Sequence, residues 1–162
     1  MSLISTDPPG PLASPADTGE DTTIKNATFW PDISTGAFRL AKRLGGTTTT
    51  DRMHHALRVA MAAINDLLAE WRVKQEAAGY ASLDTLPSES IGNESIQVMR
   101  YREAVYSYAK ATLLEGYRDA DTTSKGEAHA IALATQIDQC WRDVRWAVRD
   151  LAGRPRGIAE LL

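Results

Sequence analysis

Between residues 130 and 151 the apolar positions fall at Ala130, Ala134, Ile137, Trp141, Val144, Val148 and Leu151. Steps of four and three in alternation place these side chains on one seam of a helix packed against other helices. Trp146 stands apart from that seam, about 80 to 180° from its members at ~100° per residue. Two readings follow: the helix is buried on both sides within its own fold, or its second face meets another subunit. The rest of the chain favours the second.

Three more helices are predicted upstream. A short one covers residues 35–44, capped by Ser34, with Phe38 and Leu40 or Ala41 facing inward and Gly45-Gly46 ending it. A long one covers 51–78, where Met53, Leu57, Ala60, Met61, Ile64, Leu67, Leu68 and Trp71 form a one-sided stripe that Gly79 stops. After a connector over 81–93, with one short turn capped by Ser82, a third helix covers 94–118. Its apolar arc, from Val98, Met99 and Tyr101 to Leu113 and Tyr117, spans about half the circumference and marks it as the central helix. Arg102 lies inside that arc and is expected to be a partly buried, paired structural charge, held by a carboxylate (Asp119, Asp121 or Asp138) or by several backbone carbonyls. The fourth helix begins after Asp121-Thr122-Thr123 and stops at Gly153, before Pro155.

No segment alternates with period two for long enough to predict a strand, so the fold class is all-α: a compact bundle of about four helices. Residues 1–28 are expected to be a disordered or extended N-terminal arm, because four of the seven prolines (Pro8, Pro9, Pro11, Pro15) stand there among Ser, Thr, Asp and Gly. Structure is expected from Phe29-Trp30-Pro31-Asp32-Ile33, two aromatics before a proline, which read as an extended segment pinned to a core. The helical domain then runs over 29–153, and 154–162 form a short C-terminal tail whose Ile158, Leu161 and Leu162 want a partner.

Composition adds bounds. With 162 residues, 43% hydrophobic and 24% charged, the chain reads as one ordinary globular domain. No apolar run approaches the ~20 residues a membrane span requires, and the first residues lack the basic start and apolar stretch of a secretory signal. The single cysteine, Cys140, sits beside the last helix seam and reads as a small core residue in a reducing compartment. The net charge of −3 is uneven: Asp7, Asp17, Glu20 and Asp21 give the first 24 residues −4, which leaves the body at +1. A near-neutral body argues against a dedicated duplex-DNA reader. The local exception is Arg142, Arg145, Arg149, Arg154 and Arg156, read either as a solvated flank near a helix C-terminus or as part of an interface with Trp146.

The chemistry of catalysis is missing from the sequence. Lys125-Gly126 lacks the spacing of a phosphate loop, and no nucleophile elbow appears. His54 and His55 are neighbours that point ~100° apart on a helix and do not chelate one ion together. Asp119 and Asp121 have no further ligands at useful spacing, His129 stands alone, and Cys140 has no cue for a thiolate partner. No catalytic, cofactor-binding or metal residue is assigned.

The string Phe29-Trp30-Pro31-Asp32-Ile33, followed by Phe38-Arg39, Leu44, Thr50-Asp51, Ala56-Leu57 and Ala69-Glu70-Trp71-Arg72, resembles the head completion (stabilisation) proteins of P2-like tailed bacteriophages, the GPL family. The likeness continues through Ala78-Gly79-Tyr80, Ile91-Gly92-Asn93-Glu94-Ser95, Tyr101-Arg102, Ala104-Val105-Tyr106, Ala109-Lys110-Ala111, Tyr117-Arg118-Asp119 and Asp121-Thr122-Thr123. It closes on Arg142-Asp143, Arg145-Trp146-Ala147 and Gly153-Arg154-Pro155-Arg156, so it covers residues 29–162 and leaves out the proline-rich arm. The resemblance implies a structural, non-enzymatic virion protein at the neck, made in the host cytoplasm and needing neither cofactor nor membrane. It implies a ring beneath the portal that seals the filled head and offers a surface to the tail. The implied partners are the portal protein, a tail terminator or neck protein, and further copies of the chain. Similarity to the helical head–tail adaptors of other long-tailed phages implies twelve copies, a channel through which packaged DNA passes, and a C-terminal segment inserted into the portal. On this reading Arg142, Trp146, Arg149, Arg154, Arg156, Ile158, Leu161 and Leu162 are the candidate subunit or portal contacts. The alternative is a small helical regulator of a host protein or nucleic acid, which predicts a twofold dimer with a concentrated basic face.

Overall fold

A computed structural model describes residues 22–120 and 127–156. The described residues form five helices and two small antiparallel hairpins, β1 (Thr23–Ile24), β2 (Ile33–Ser34), α1 (Thr35–Ala41), α2 (Thr50–Leu67), α3 (Ala69–Ala77), β3 (Ser90–Ile91), β4 (Glu94–Ser95), α4 (Ile96–Ala120) and α5 (Glu127–Leu151). The class is mainly α, as expected, but with one helix more than expected and with strands that the sequence pattern did not predict.

Local chemistry explains most boundaries. Ser34 caps α1 by accepting from the Ala37 amide at 3.0 Å, and Thr49 caps α2. Three helices end in the same double hydrogen bond around a residue of positive φ. After α3 it is Gly79 (φ 99°), where the Tyr80 amide reaches the Gln75 carbonyl at 3.1 Å. After α5 it is Gly153 (φ 67°), where the Arg154 amide reaches Arg149 at 2.8 Å. After α1 it is Arg43 (φ 52°), not a glycine, and the Leu44 amide closes on Arg39 at 3.0 Å. So α1 stops short of Gly45-Gly46, and Leu44 folds back onto the core.

The expected helix over 51–78 is two helices. Leu68 leaves helical geometry (φ −103°, ψ 6°) between α2 and α3, with no Pro or Gly at the break. The break buries Leu68 and lets Trp71 reach the aromatic cluster, 6.3 Å from the Trp30 ring. The 81–93 connector contains the expected short turn, a 3₁₀ helix over Leu83–Thr85, and then a hairpin. Gly92 (φ 59°) and Asn93 (φ 65°) supply the two left-handed positions that a tight hairpin turn needs.

The core is centred on α4, with α5 packed antiparallel on one side and α2 on another. Tyr108 meets Trp141 edge-on at 4.8 Å, Trp141 Nε1 donates to Glu115 at 2.9 Å, and Arg100 near the start of α4 reaches the Asp150 carbonyl near the end of α5. On the other flank Trp30 stacks on the fully buried Tyr101 at 4.8 Å, and Phe29 meets Trp30 edge-on. Each such ring pair contributes about 0.5–1.5 kcal/mol beyond its buried area.

The Phe29–Ile33 string is thus pinned to the core, and the ordered body reaches further back than residue 29. Thr23 and Ile24 pair with Ser34 and Ile33. Asn26 Nδ2 donates to the Tyr101 hydroxyl at 2.8 Å, that hydroxyl donates to Asn65 Oδ1 at 2.6 Å, and Asn65 Nδ2 donates back to Asn26 at 3.0 Å. This closed triangle ties the first described segment, α2 and α4 together. The remainder of the expected arm, 1–21, lies outside the described residues.

Candidate interaction surface

The C-terminal half of α5 carries the candidate contacts, and its burial tests the reading of a helix enclosed on both sides by its own fold. Ile137, Cys140, Val144, Ala147 and Leu151 are buried against the body, while Trp141 and Val148 are half-buried. Trp146 is 39% exposed, so the helix is not enclosed on that side by its own described fold. The first turns of α5 are exposed as well, with Ile131 at 62%.

Trp146 forms one wall of an open groove of about 480 Å³ between α5, the start of α4 and the β3–β4 hairpin. Ile91, Ile96, Met99 and Ala147 supply the rest of its apolar lining, with Ile91 60% exposed and Met99 38% exposed. Met99 was expected inside the α4 core arc; it lies on the edge of that arc and faces the groove instead. The indole lies near two guanidinium groups, Arg142 at 6.0 Å and Arg156 at 5.0 Å from the ring centre, a cation–π arrangement. Arg156 also binds Asp150 through two nitrogens. That hydrogen-bonded pairing holds the Asp150 carboxyl below its ordinary range and raises Arg156.

A second groove of about 400 Å³ lies on another side of the same helix end. Leu67, Trp71 and Val148 contribute its apolar part, and Arg149 and Arg154 its cationic rim. Arg142 and Arg149 are one heptad apart on α5, yet Arg142 turns to Trp146 while Arg149 donates to the Pro155 carbonyl at 3.1 Å. The break at Leu68 makes this second groove, since it turns α3 and Trp71 toward the end of α5.

The structure therefore brings Arg142, Trp146 and Arg156 together at one groove and Arg149 and Arg154 at another. Ile158, Leu161 and Leu162 lie outside the described residues. Arg102 is partly buried and paired with a carboxylate, as expected, but the partner is corrected: the side chain, 37% exposed, binds Glu94, not Asp119 or Asp138. Asp119 is 17 residues further along α4, ~25 Å away. The antiparallel packing puts Asp138 beside the far end of α4, and Asp121 lies outside the described residues. The β3–β4 turn instead delivers Glu94 to Arg102.

Other chemistry is sparse. Among the described residues no three His, Cys, Asp or Glu side chains gather as a metal site, and no helix is long and apolar enough to cross a membrane. Burial raises the Cys140 thiol above its ordinary range, which disfavours the reactive thiolate.

The chain is 39% identical over 151 residues, 93% of its own length and 89% of the relative's, to the head completion/stabilization protein of Escherichia phage P2. It is 27% identical over 144 residues, 88% of its length and 94% of the relative's, to the probable head completion/stabilization protein of Haemophilus phage HP1 (strain HP1c1). No solved structure matches it. The phage head completion protein (GPL) family matches residues 24–162, which takes in all five helices, both grooves and, but for Thr23, both hairpins. A mainly helical chain that shares this match over most of its length belongs to the phage head completion protein (GPL) family.

Proposed function

We propose that the protein is a structural component of the virion neck: copies of it form a ring beneath the portal, complete and seal the DNA-filled head, and offer the surface to which the tail attaches. The observation that carries this reading is the pair of dissimilar grooves at the end of α5, one around Trp146 and one around Arg149 and Arg154. A closed ring joins unlike surfaces head to tail, so each subunit needs two different sticky faces. A twofold dimer needs one self-complementary patch and would leave the second groove unused. The arginines are divided between the grooves, which also weighs against a small regulator reading nucleic acid through one basic face.

The assignment of partners follows the same logic. The ring has twelve copies to match the portal, its central channel passes packaged DNA, and residues 154–162 dock on the portal. A tail terminator or neck protein covers the opposite side. Truncation after Gly153 tests the portal contact, because α5 already ends there and the body keeps its core. The truncated chain is expected to fold, to lose portal binding, and to yield filled heads whose DNA becomes accessible to added nuclease. Truncated protein that decorates portals at wild-type stoichiometry would remove this segment from the mechanism.

A further inference from the structure

The turn that ends α1 borders a cavity of about 320 Å³, closed on its other sides by the second half of α4 and the first half of α5. Three cations line it, Lys42, Arg43 and Lys110, and among the described residues no carboxylate does. Arg43 holds the left-handed position (φ 52°) after α1. Lys42, just before it, is tied to Glu103 at 2.6 Å and to the buried Ser107 hydroxyl at 3.1 Å. Lys110 lies one turn beyond Ser107 on α4 and is half-buried. Among the described residues neither Arg43 nor Lys110 has a carboxylate within ion-pair distance. The carboxylates nearest to Lys110 along α4 are engaged elsewhere, Glu103 by Lys42 and Ser107, and Glu115 by Trp141. The Thr48 hydroxyl bonds the Tyr117 hydroxyl at 2.7 Å and fixes one wall. The Thr47 hydroxyl and the Gln136 amide also line the cavity and make no hydrogen bond with described side chains.

We propose that this cavity binds a phosphate group, with Arg43 and Lys110 as its charged contacts and the Thr47 hydroxyl and Gln136 amide as further donors. Like charges around one cavity repel, and a half-buried ammonium without a counter-ion loses hydration with no compensating partner. An anion seated between the cations removes both costs. The guanidinium presents a planar fork that matches two phosphate oxygens, while Lys110 acts as a point charge. A carboxylate has two oxygens for these donors, and a phosphate group has more. The group is carried either by free phosphate or by the backbone of a nucleic acid. The cavity is independent of the ring; only the second source brings DNA to this turn.

Titration of the full-length protein with inorganic phosphate, followed by nuclear magnetic resonance at an ionic strength held constant with chloride, tests the site. Saturable shifts are expected in the Gln136 side-chain amide, the Arg43 and Thr47 backbone amides and the Lys110 ε-methylene, and none with acetate. Lys110→Met keeps the aliphatic stem, and Arg43→Asn keeps a residue that tolerates positive φ. Each is expected to weaken phosphate binding by about tenfold or more, the loss of one charge-assisted hydrogen bond. Melting temperature is the second readout: phosphate is expected to raise it in the unsubstituted protein and to raise it less in either variant. A short DNA duplex separates the two sources. Shifts of the same resonances at far lower duplex concentration assign the group to a nucleic-acid backbone, and shifts with phosphate alone assign it to free phosphate. Shifts that do not saturate, that acetate reproduces or that survive both substitutions would overturn the site. So would resonances that neither phosphate nor duplex moves.

Discussion

At the residue scale the tightest constraint is the triangle of Asn26, Asn65 and Tyr101. Tyr101 is fully buried, and burial lifts its hydroxyl well above the ordinary phenol range. The neutral hydroxyl is therefore the form that donates to Asn65 while accepting from Asn26. Tyr101→Phe removes one partner from each of two half-buried amides, at a cost of about 1 kcal/mol or more. Thermal unfolding is expected to show a clear fall in melting temperature, and an unchanged midpoint would mean that water replaces the hydroxyl. Arg102 is the opposite case. Both side chains of its pair with Glu94 are about a third exposed, so solvent screens it and Arg102→Met is expected to change stability by no more than about 1 kcal/mol. A larger loss would restore the buried-charge reading. Neither pairing was legible in the sequence. Helical periodicity says which face of α4 Tyr101 and Arg102 occupy, but not which residue a distant loop brings to them.

At the element scale, boundaries set by backbone conformation were readable and those set by packing were not. Gly79 and Gly153 announce helix ends because glycine takes positive φ without strain. Arg43 does the same work with a side chain that gives no such signal, held by the return of Leu44 to the core. The break at Leu68 has no local marker at all; it arises because Leu68 and Trp71 both have inward partners that one straight helix does not serve. The two-residue strands are too short for alternation to register, although Gly92-Asn93 is a hairpin signal in its own right. The last helix was legible in its seam and in the odd placement of Trp146, whose groove depends on Ile91 from that unpredicted hairpin. Trp146→Ala removes an exposed wall, so it is expected to weaken assembly on heads strongly while lowering the melting temperature little. A substitution that unfolds the chain, with its folded fraction assembling normally, would make Trp146 a core residue.

At the scale of the whole molecule, α4 is the spine, and the flanks of α5 carry the two candidate surfaces. The α2–α3 break and the β3–β4 hairpin each contribute one wall beside the end of α5, and this is how one helix comes to border two unlike grooves. That arrangement is the physical basis for reading a head completion protein as a ring former. The central claim is that the two grooves join copies head to tail beneath the portal. Cryo-electron microscopy of filled heads, stalled before tail joining, tests it most directly. The account predicts one closed ring of this chain under the portal, one copy per portal subunit, with Trp146 and Arg149 each within contact distance of a neighbouring chain. A protein found elsewhere on the head, or a ring in which both grooves face solvent, would contradict it.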